Sequence, residues 1–120
     1  MITIEQQKEI QQRADKLKQY LQIDEKRIQL EEEELHTQAP GFWDDAKAAE
    51  VQMRKVKRLK SWIEGYEGVR NAVEELNLHM EYYREELVSE EEVDQAYQHA
   101  LDEVEALEMK NMLSHEEDHS

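Results

Sequence analysis

The chain has 120 residues, a formal net charge of −15 and no cysteine. Such a charge opposes binding to bulk nucleic acid and to anionic membranes, so an RNA contact would need a local basic patch. The absence of cysteine excludes disulfides, thiol chemistry and cysteine-ligated zinc.

Charge is unevenly distributed along the chain. Residues 81–120 carry fourteen acids and two bases, which places most of the negative charge in the last third.

No apolar run approaches the ~20 residues of a membrane span, and the first ten residues lack a signal-peptide core. We therefore expect a soluble, cytoplasmic protein that does not bind membranes. The low apolar content is compatible with disorder or with helices sharing a narrow seam, and the apolar periodicity favours helices.

The first predicted helix covers residues 4–37, a stretch without glycine or proline. Its apolar residues follow alternating three- and four-residue steps, which is the spacing of one helical face. Asp24 and Glu31 interrupt this face as polar positions. The predicted seam consists of Ile10, Ala14, Leu17, Leu21, Ile28 and Leu35.

The second predicted helix covers residues 46–87 and keeps a step close to 3.5 residues. Gly65 and Gly68 are poor helix formers, and each lowers helix stability by about 1 kcal/mol relative to alanine. The apolar spacing nevertheless continues past both glycines without a shift. The sustained register favours one long helix, and two helices broken at this Gly-Tyr-Glu-Gly sequence are the alternative. The predicted seam consists of Ala49, Met53, Val56, Leu59 (or Lys60), Ile63, Tyr66, Val69, Val73, Leu76, Met80, Tyr83 and Leu87.

A third helix is predicted to begin after Ser89, whose hydroxyl can cap it while Glu92 completes a capping box. Its seam consists of Val93, Tyr97, Ala100, Val104 and Leu107. The three segments together predict an all-α fold, namely an elongated antiparallel three-helix domain built on a long helical hairpin.

Residues 38–46, Gln-Ala-Pro-Gly-Phe-Trp-Asp-Asp-Ala, connect the first two predicted helices. The proline and glycine prevent the first helix from continuing, and Asp44 or Asp45 can cap the second. We expect Phe42 and Trp43 to have mainly structural roles, with at least one ring packed on the end of the hairpin. A contact site for a partner is the alternative.

Patterns typical of catalytic and metal sites give no candidate. His-Glu-Glu-Asp-His at residues 115–119 matches the H-E-x-x-H pattern of zinc proteases, but no apolar face flanks it and no third ligand follows. The glutamates at residues 31–34 are expected to be a solvated face near Lys47. Nucleophile elbows, phosphate-binding glycine loops and dinucleotide fingerprints are absent from the sequence. We therefore expect no catalytic residue, cofactor, metal or small-molecule substrate.

One basic run, Val-Gln-Met-Arg-Lys-Val-Lys-Arg-Leu-Lys at residues 51–60, contrasts with the acidic chain. Met53, Val56 and Leu59 are predicted to face the seam, which leaves the cations outward. Such a cluster can neutralise phosphates, or its cations can pair with acids on the neighbouring helices. The candidate contact residues are Arg54, Lys55, Lys57, Arg58 and Lys60.

Several segments, at matching separations, resemble the N-terminal domain of bacterial peptide chain release factor 2. These are Tyr-Leu-Gln-Ile-Asp-Glu-Lys-Arg-Ile-Gln-Leu-Glu-Glu-Glu-Glu, Pro-Gly-Phe-Trp-Asp-Asp and Ala-Leu-Glu-Met-Lys-Asn-Met-Leu-Ser-His-Glu-Glu-Asp-His-Ser. The resemblance spans about residues 15–120. Its most specific block is Pro40, Phe42, Trp43 and Asp44. Leu113, Ser114 and Asp118 look like the start of the family's linker into a central domain.

The resemblance implies a role in translation termination. In that family a Ser-Pro-Phe element reads the stop codon and a Gly-Gly-Gln element promotes hydrolysis of peptidyl-tRNA, both in later domains. This sequence contains neither element, so no codon-reading or catalytic residue is carried over and no enzyme is expected. The family's first helical domain faces the stalk base of the large ribosomal subunit, where ribosomal RNA and protein meet.

The resemblance also predicts how the chain is organised and what it binds. Residues 1–113 are expected to form the ribosome-docking domain, and residues 114–120 an acidic linker toward a central domain that this sequence does not include. The expected partners are the ribosome, through the candidate residues of the basic run, and the rest of the release factor. A free-standing helical coiled-coil adaptor or dimerisation module is the alternative, and the coding sequence downstream of Ser120 would separate the two.

Overall fold

The structure is a computed structural model that describes residues 1–118 and the side chains of residues 1–116. Within this range the chain is helical and contains no strand, which confirms the all-α prediction. None of the described helices is both long enough and apolar enough to cross a membrane. The elements are α1 (Ile4–Tyr20), α2 (Ile23–His36), a 3₁₀ turn (Phe42–Asp44), α3 (Ala46–Arg84) and α4 (Glu90–Asp118).

The first predicted helix is divided into α1 and α2 at Gln22. This residue has φ 52° and ψ 54°, the left-handed conformation, at the N-terminal boundary of α2. The left-handed residue resets the helical phase, so Ile23 is fully buried while Ile28 and Leu35 are 61% and 60% exposed. The prediction of one helix with one continuous seam is therefore wrong from Gln22 onward.

The chain forms two compact units. Unit 1 comprises Met1–Tyr20 together with the chain from Gly65 onward, and unit 2 comprises Leu21–Glu64. The core of unit 1 contains Ile10, Ala14, Leu17, Tyr66, Val69, Ala72, Val73, Leu76, Met80, Val93, Ala100, Val104 and Leu107. The smaller core of unit 2 contains Leu21, Ile23, Ala49, Val56 and Leu59. The predicted seams of the second and third helices supply most of these residues, because both helices keep their register.

Side-chain caps fix the starts of three helices. Thr3 and Gln6 form a reciprocal capping box at α1, in which Thr3 Oγ1 accepts the Gln6 N–H at 3.1 Å and Gln6 Oε1 accepts the Thr3 N–H at 2.8 Å. Asp45 Oδ1 accepts an N–H from the first turn of α3 at 3.1 Å. Ser89 Oγ accepts the Glu92 N–H at 3.1 Å. The predicted caps at Asp45 and Ser89 are confirmed, but the Glu92 side chain accepts no hydrogen bond from the Ser89 N–H, so the predicted capping box is incomplete. The Thr3 box was not predicted, although its Thr-x-x-Gln spacing is visible in the sequence.

Helix α3 ends in a Schellman arrangement. The N–H of Leu87 donates to the carbonyl of Tyr82 at 2.9 Å, and the N–H of Glu86 donates to the carbonyl of Tyr83 at 3.0 Å. Glu86 occupies the left-handed position of this motif with φ 61°. Because the helix ends at Arg84, Leu87 leaves the predicted seam and is 66% exposed.

Helix α3 continues through Gly65 and Gly68, which confirms the prediction of one long helix. Both glycines allow α4 to approach α3 closely within unit 1. A Cβ atom at Gly65 would lie 3.0 Å from Cδ1 of Leu107, and one at Gly68 would lie 2.7 Å from Oε2 of Glu103. The glycines therefore serve helix–helix packing rather than a break in the helix.

We expect Gly68→Ala to stabilise the protein by up to about 1 kcal/mol, because alanine has the higher helix propensity and only the flexible end of Glu103 must move. Gly65→Ala is the matched comparison. Its Cβ would press on Leu107, which is 3% exposed, so strain in the core offsets the propensity gain. Urea unfolding of both variants measures the difference, and equal stabilisation by the two would contradict the close packing at Gly65.

Candidate functional site

The basic run lies on the part of α3 that belongs to unit 2. Val56 and Leu59 are 2% and 7% exposed, and all five candidate cations are exposed, as predicted. Met53 departs from the predicted seam, since 39% of its surface is exposed. The run is thus anchored by two aliphatic side chains and presents its charges to solvent.

Two of the candidate cations hold α2 against α3 within unit 2. Lys55 Nζ lies 3.0 Å from Oε1 of Glu33, and Lys60 Nζ lies 3.6 Å from Oε2 of Glu34. Gln52 Nε2 donates to the Glu33 carboxylate at 2.6 Å and to its main-chain carbonyl at 2.9 Å. The hydrogen bond from Gln52, followed by that from Lys55, lowers the pKa of Glu33 below its ordinary value of 4.5. Lys55 and Lys60 therefore match the alternative in which the basic run pairs with acids.

This lowered pKa makes the contribution of Glu33 depend on pH. A carboxylate whose pKa is lowered by folding stabilises the fold above its ordinary pKa and loses that contribution as the pH falls through the lowered value. We expect the difference in unfolding free energy between the wild type and Glu33→Gln to be constant near neutral pH and to shrink below pH 4.5. Urea unfolding over a pH series measures it, with the exposed neighbour Glu32→Gln as control. A difference independent of pH would contradict the role given to the carboxylate.

The other three candidate cations share one face of α3. Arg54, Lys57 and Arg58 are spaced i, i+3 and i+4, so their side chains lie on the same side of the helix. Arg54 forms an ion pair with Glu50, one turn earlier on the same helix. Lys57 and Arg58 are exposed, and neither forms an ion pair with any other residue that the structure describes.

Lys47 extends this arrangement and was not among the candidate residues. The glutamates at residues 31–34 were expected near it, but two of them pair with Lys55 and Lys60 instead. Lys47 is exposed and, within the described range, has no ion pair. It lies seven residues before Arg54, two helical turns away on the same side. The seven-residue spacing to Arg54 could have predicted from the sequence that Lys47 belongs to this face.

We refer to Lys47, Arg54, Lys57 and Arg58 as the cationic face of α3.

The aromatic pair precedes α3 in unit 2. Gly41 has φ 80°, and a Cβ there would lie 3.2 Å from Oδ2 of Asp44, so the turn favours glycine. Phe42 is half-buried, and its ring meets that of Trp43 edge-on, with centroids 4.7 Å apart and planes at 88°. Trp43 is 67% exposed. Phe42 is compatible with the expected structural role, whereas most of the Trp43 side chain is open to solvent.

The His-Glu-Glu-Asp-His pattern is described only in part. Nε2 of His115 lies 2.9 Å from the hydroxyl of Tyr20, which ties α4 to α1 within unit 1. His119, the second histidine of the pattern, lies outside the described residues. Among the residues that the structure does describe, no three histidine, aspartate or glutamate side chains are grouped as metal ligands.

The candidate site is therefore an exposed surface of cations on unit 2. Its guanidinium and ammonium groups suit phosphate or carboxylate partners. Neither the protein-family models nor the curated proteins include a match to this sequence.

Proposed function

We propose that the chain is the ribosome-docking N-terminal domain of a class I peptide chain release factor. The proposal rests on the sequence resemblance around the Pro-Gly-Phe-Trp-Asp-Asp block. The structural observation that supports it is the exposure of Lys57 and Arg58 without ion pairs to the described residues, in a chain whose net charge is −15.

The contrast among neighbouring cations supports a phosphate contact. Lys55 and Lys60 each pair with an acid of α2, so an external phosphate would have to compete with a carboxylate for them. Lys57 and Arg58 have no paired acid among the described residues. The planar guanidinium of Arg58 can bind a phosphate through two parallel hydrogen bonds. We infer that the cationic face binds ribosomal RNA at the stalk base of the large subunit.

In this proposal the domain supplies affinity and orientation, while other parts of the factor read the stop codon and promote hydrolysis. A cytoplasmic location and the remaining release-factor domains as partners belong to the same proposal. The long helical hairpin and the linker role of residues 114–120 remain predictions. Helix α4 includes residues 114–118, and the end of the predicted linker lies outside the described residues.

The double variant Lys57→Gln/Arg58→Gln tests the proposal in a salt series. If both cations contact phosphate, the variant should bind purified large ribosomal subunits about tenfold more weakly at low salt. Its plot of log affinity against log salt concentration should be shallower by about two units, one for each lost contact. The measurement is fluorescence anisotropy of labelled protein titrated with subunits.

Lys8→Gln/Lys16→Gln is the matched control. It removes the same charge from two exposed lysines of α1 that form no ion pair with other described residues. The control should keep the salt slope of the wild type, and circular dichroism melting should show that both variants are folded. Equal affinity and an equal slope for the α3 variant and the wild type would exclude the cationic face as the phosphate contact.

A further inference from the structure

The exposed side of α2 combines an aliphatic ridge with unpaired acids. Ile28 and Leu35 are 61% and 60% exposed and lie seven residues apart, so they follow one line along the helix. Beside this line, Leu35 joins Leu30 and Ile63 as the apolar lining of a cleft of about 420 Å³, whose polar lining is Arg27, Glu31, Glu34 and Gln38. The cleft lies within unit 2 and has room for one large side chain. Two exposed aliphatic residues beside a partly apolar cleft indicate a surface that another molecule covers.

Acids flank the ridge on both sides. At 100° per residue, Glu31 lies on one side of the line through Ile28 and Leu35, and Glu25 and Glu32 lie on the other. All three are exposed, and none forms an ion pair with a residue that the structure describes. Arg27, which lines the cleft beside Glu31, is a nearby cation on this side of α2, and it pairs with Asp24 rather than with any of the three.

The negative charge of these three residues limits which class of molecule can bind this surface. Phosphate groups of RNA or of an anionic lipid would be repelled by three exposed carboxylates that form no ion pair with a described residue. A second copy of the chain would bring the same acids against themselves, and the repulsion between like charges would oppose this association. A basic protein segment with a large aliphatic side chain would satisfy both the acids and the cleft.

We propose that this α2 surface, made of Ile28, Leu35, Glu25, Glu31 and Glu32, binds a basic amphipathic protein segment that places an aliphatic side chain in the adjacent cleft. The proposal deepens the proposed function, on which it rests for the source of the segment. It assigns the RNA contact to the cationic face of α3 and a protein contact to α2. The two surfaces have opposite charge and can be tested separately.

The test uses a synthetic 14-residue helical peptide of leucine and lysine, and a second peptide in which glutamate replaces lysine. We expect the lysine peptide to bind the chain with an affinity that falls as salt is added, and the glutamate peptide not to bind. Ile28→Gln/Leu35→Gln and, separately, Glu31→Gln/Glu32→Gln should each weaken binding of the lysine peptide about tenfold. Anisotropy of the labelled peptide measures the affinity, and amide NMR shifts locate the contact.

Matched controls separate this surface from general attraction to an acidic protein. Leu78→Gln/Leu87→Gln changes two exposed leucines of unit 1, and Glu81→Gln/Glu91→Gln removes two exposed acids there. Both controls should bind the lysine peptide as the wild type does.

Two outcomes overturn the inference: no binding of the lysine peptide, or equal weakening by the α2 variants and the controls. Ribosomal-subunit binding is a separate readout. Loss of subunit binding with intact peptide binding would count against the proposed function alone, whereas intact subunit binding without peptide binding would count against the α2 surface alone.

Discussion

Replacing Leu76 by alanine is expected to lower the free energy of unfolding by about 2–5 kcal/mol. Leu76 lies on α3 in the core of unit 1 and is fully buried. Truncation removes buried methyl and methylene groups and leaves a cavity that the packed helices cannot fully close. Because domains of this size are stable by only about 5–15 kcal/mol, the loss should be visible directly in urea or thermal unfolding.

Leu78→Ala is the matched control for this substitution. Leu78 is two residues away on the same helix but is 47% exposed, so its truncation removes less buried surface and opens no closed cavity. We expect a loss below about 1 kcal/mol. Similar losses for both variants would show that α3 does not turn the Leu76 side toward the core.

Ile23→Ala should have the largest effect in unit 2. The side chain is fully buried within a core of few residues, so a loss of about 2–5 kcal/mol removes much of what holds α2 to α3. Amide hydrogen exchange can follow this unit separately from unit 1. We expect faster exchange throughout residues 46–60 in the variant.

Ile28→Ala is the decisive comparison, because a continuous first helix would bury Ile28 in the seam. Its side chain is 61% exposed in the structure, and we expect its truncation to change exchange in unit 2 only slightly. If Ile28→Ala destabilised the unit as much as Ile23→Ala, the phase reset at Gln22 would be wrong.

The sequence predicted the helices well wherever periodicity and local signals agreed. The seams through Val69, Val73 and Leu76 and through Val93 and Val104 are buried as expected. These positions could be read because an uninterrupted helix places every third or fourth side chain on one face. The long α3 was predictable for the same reason, since Gly65 and Gly68 did not shift its apolar register.

The break at Gln22 could not be read from the sequence. Left-handed backbone is favoured by glycine and asparagine, and glutamine gives no such signal. Glu86 adopts φ 61° at the end of α3, and glutamate is likewise not a residue that indicates a left-handed conformation. At Gln22 the conformation accompanies burial of the next residue, Ile23, whereas at Glu86 it belongs to the Schellman hydrogen bonds that end α3.

The exposure of the five candidate cations was predicted, but the difference between those that pair with acids and those that do not was not. All five have similar sequence contexts, so composition alone did not separate Lys55 and Lys60 from Lys57 and Arg58. Which cations meet acids depends on the phase of α2, and that phase is set by the break at Gln22. The same reset exposes Ile28 and Leu35 and creates the α2 surface.

Co-sedimentation with separated ribosomal subunits tests the proposal that the chain docks on the large ribosomal subunit. We expect saturable co-sedimentation of the wild-type chain with purified large subunits, weakened by added salt, and much weaker co-sedimentation with small subunits. Absence of binding to large subunits at low salt, or equal binding to both subunits, would contradict it. A folded chain that dimerises and co-sediments with neither subunit would favour the alternative of a helical adaptor.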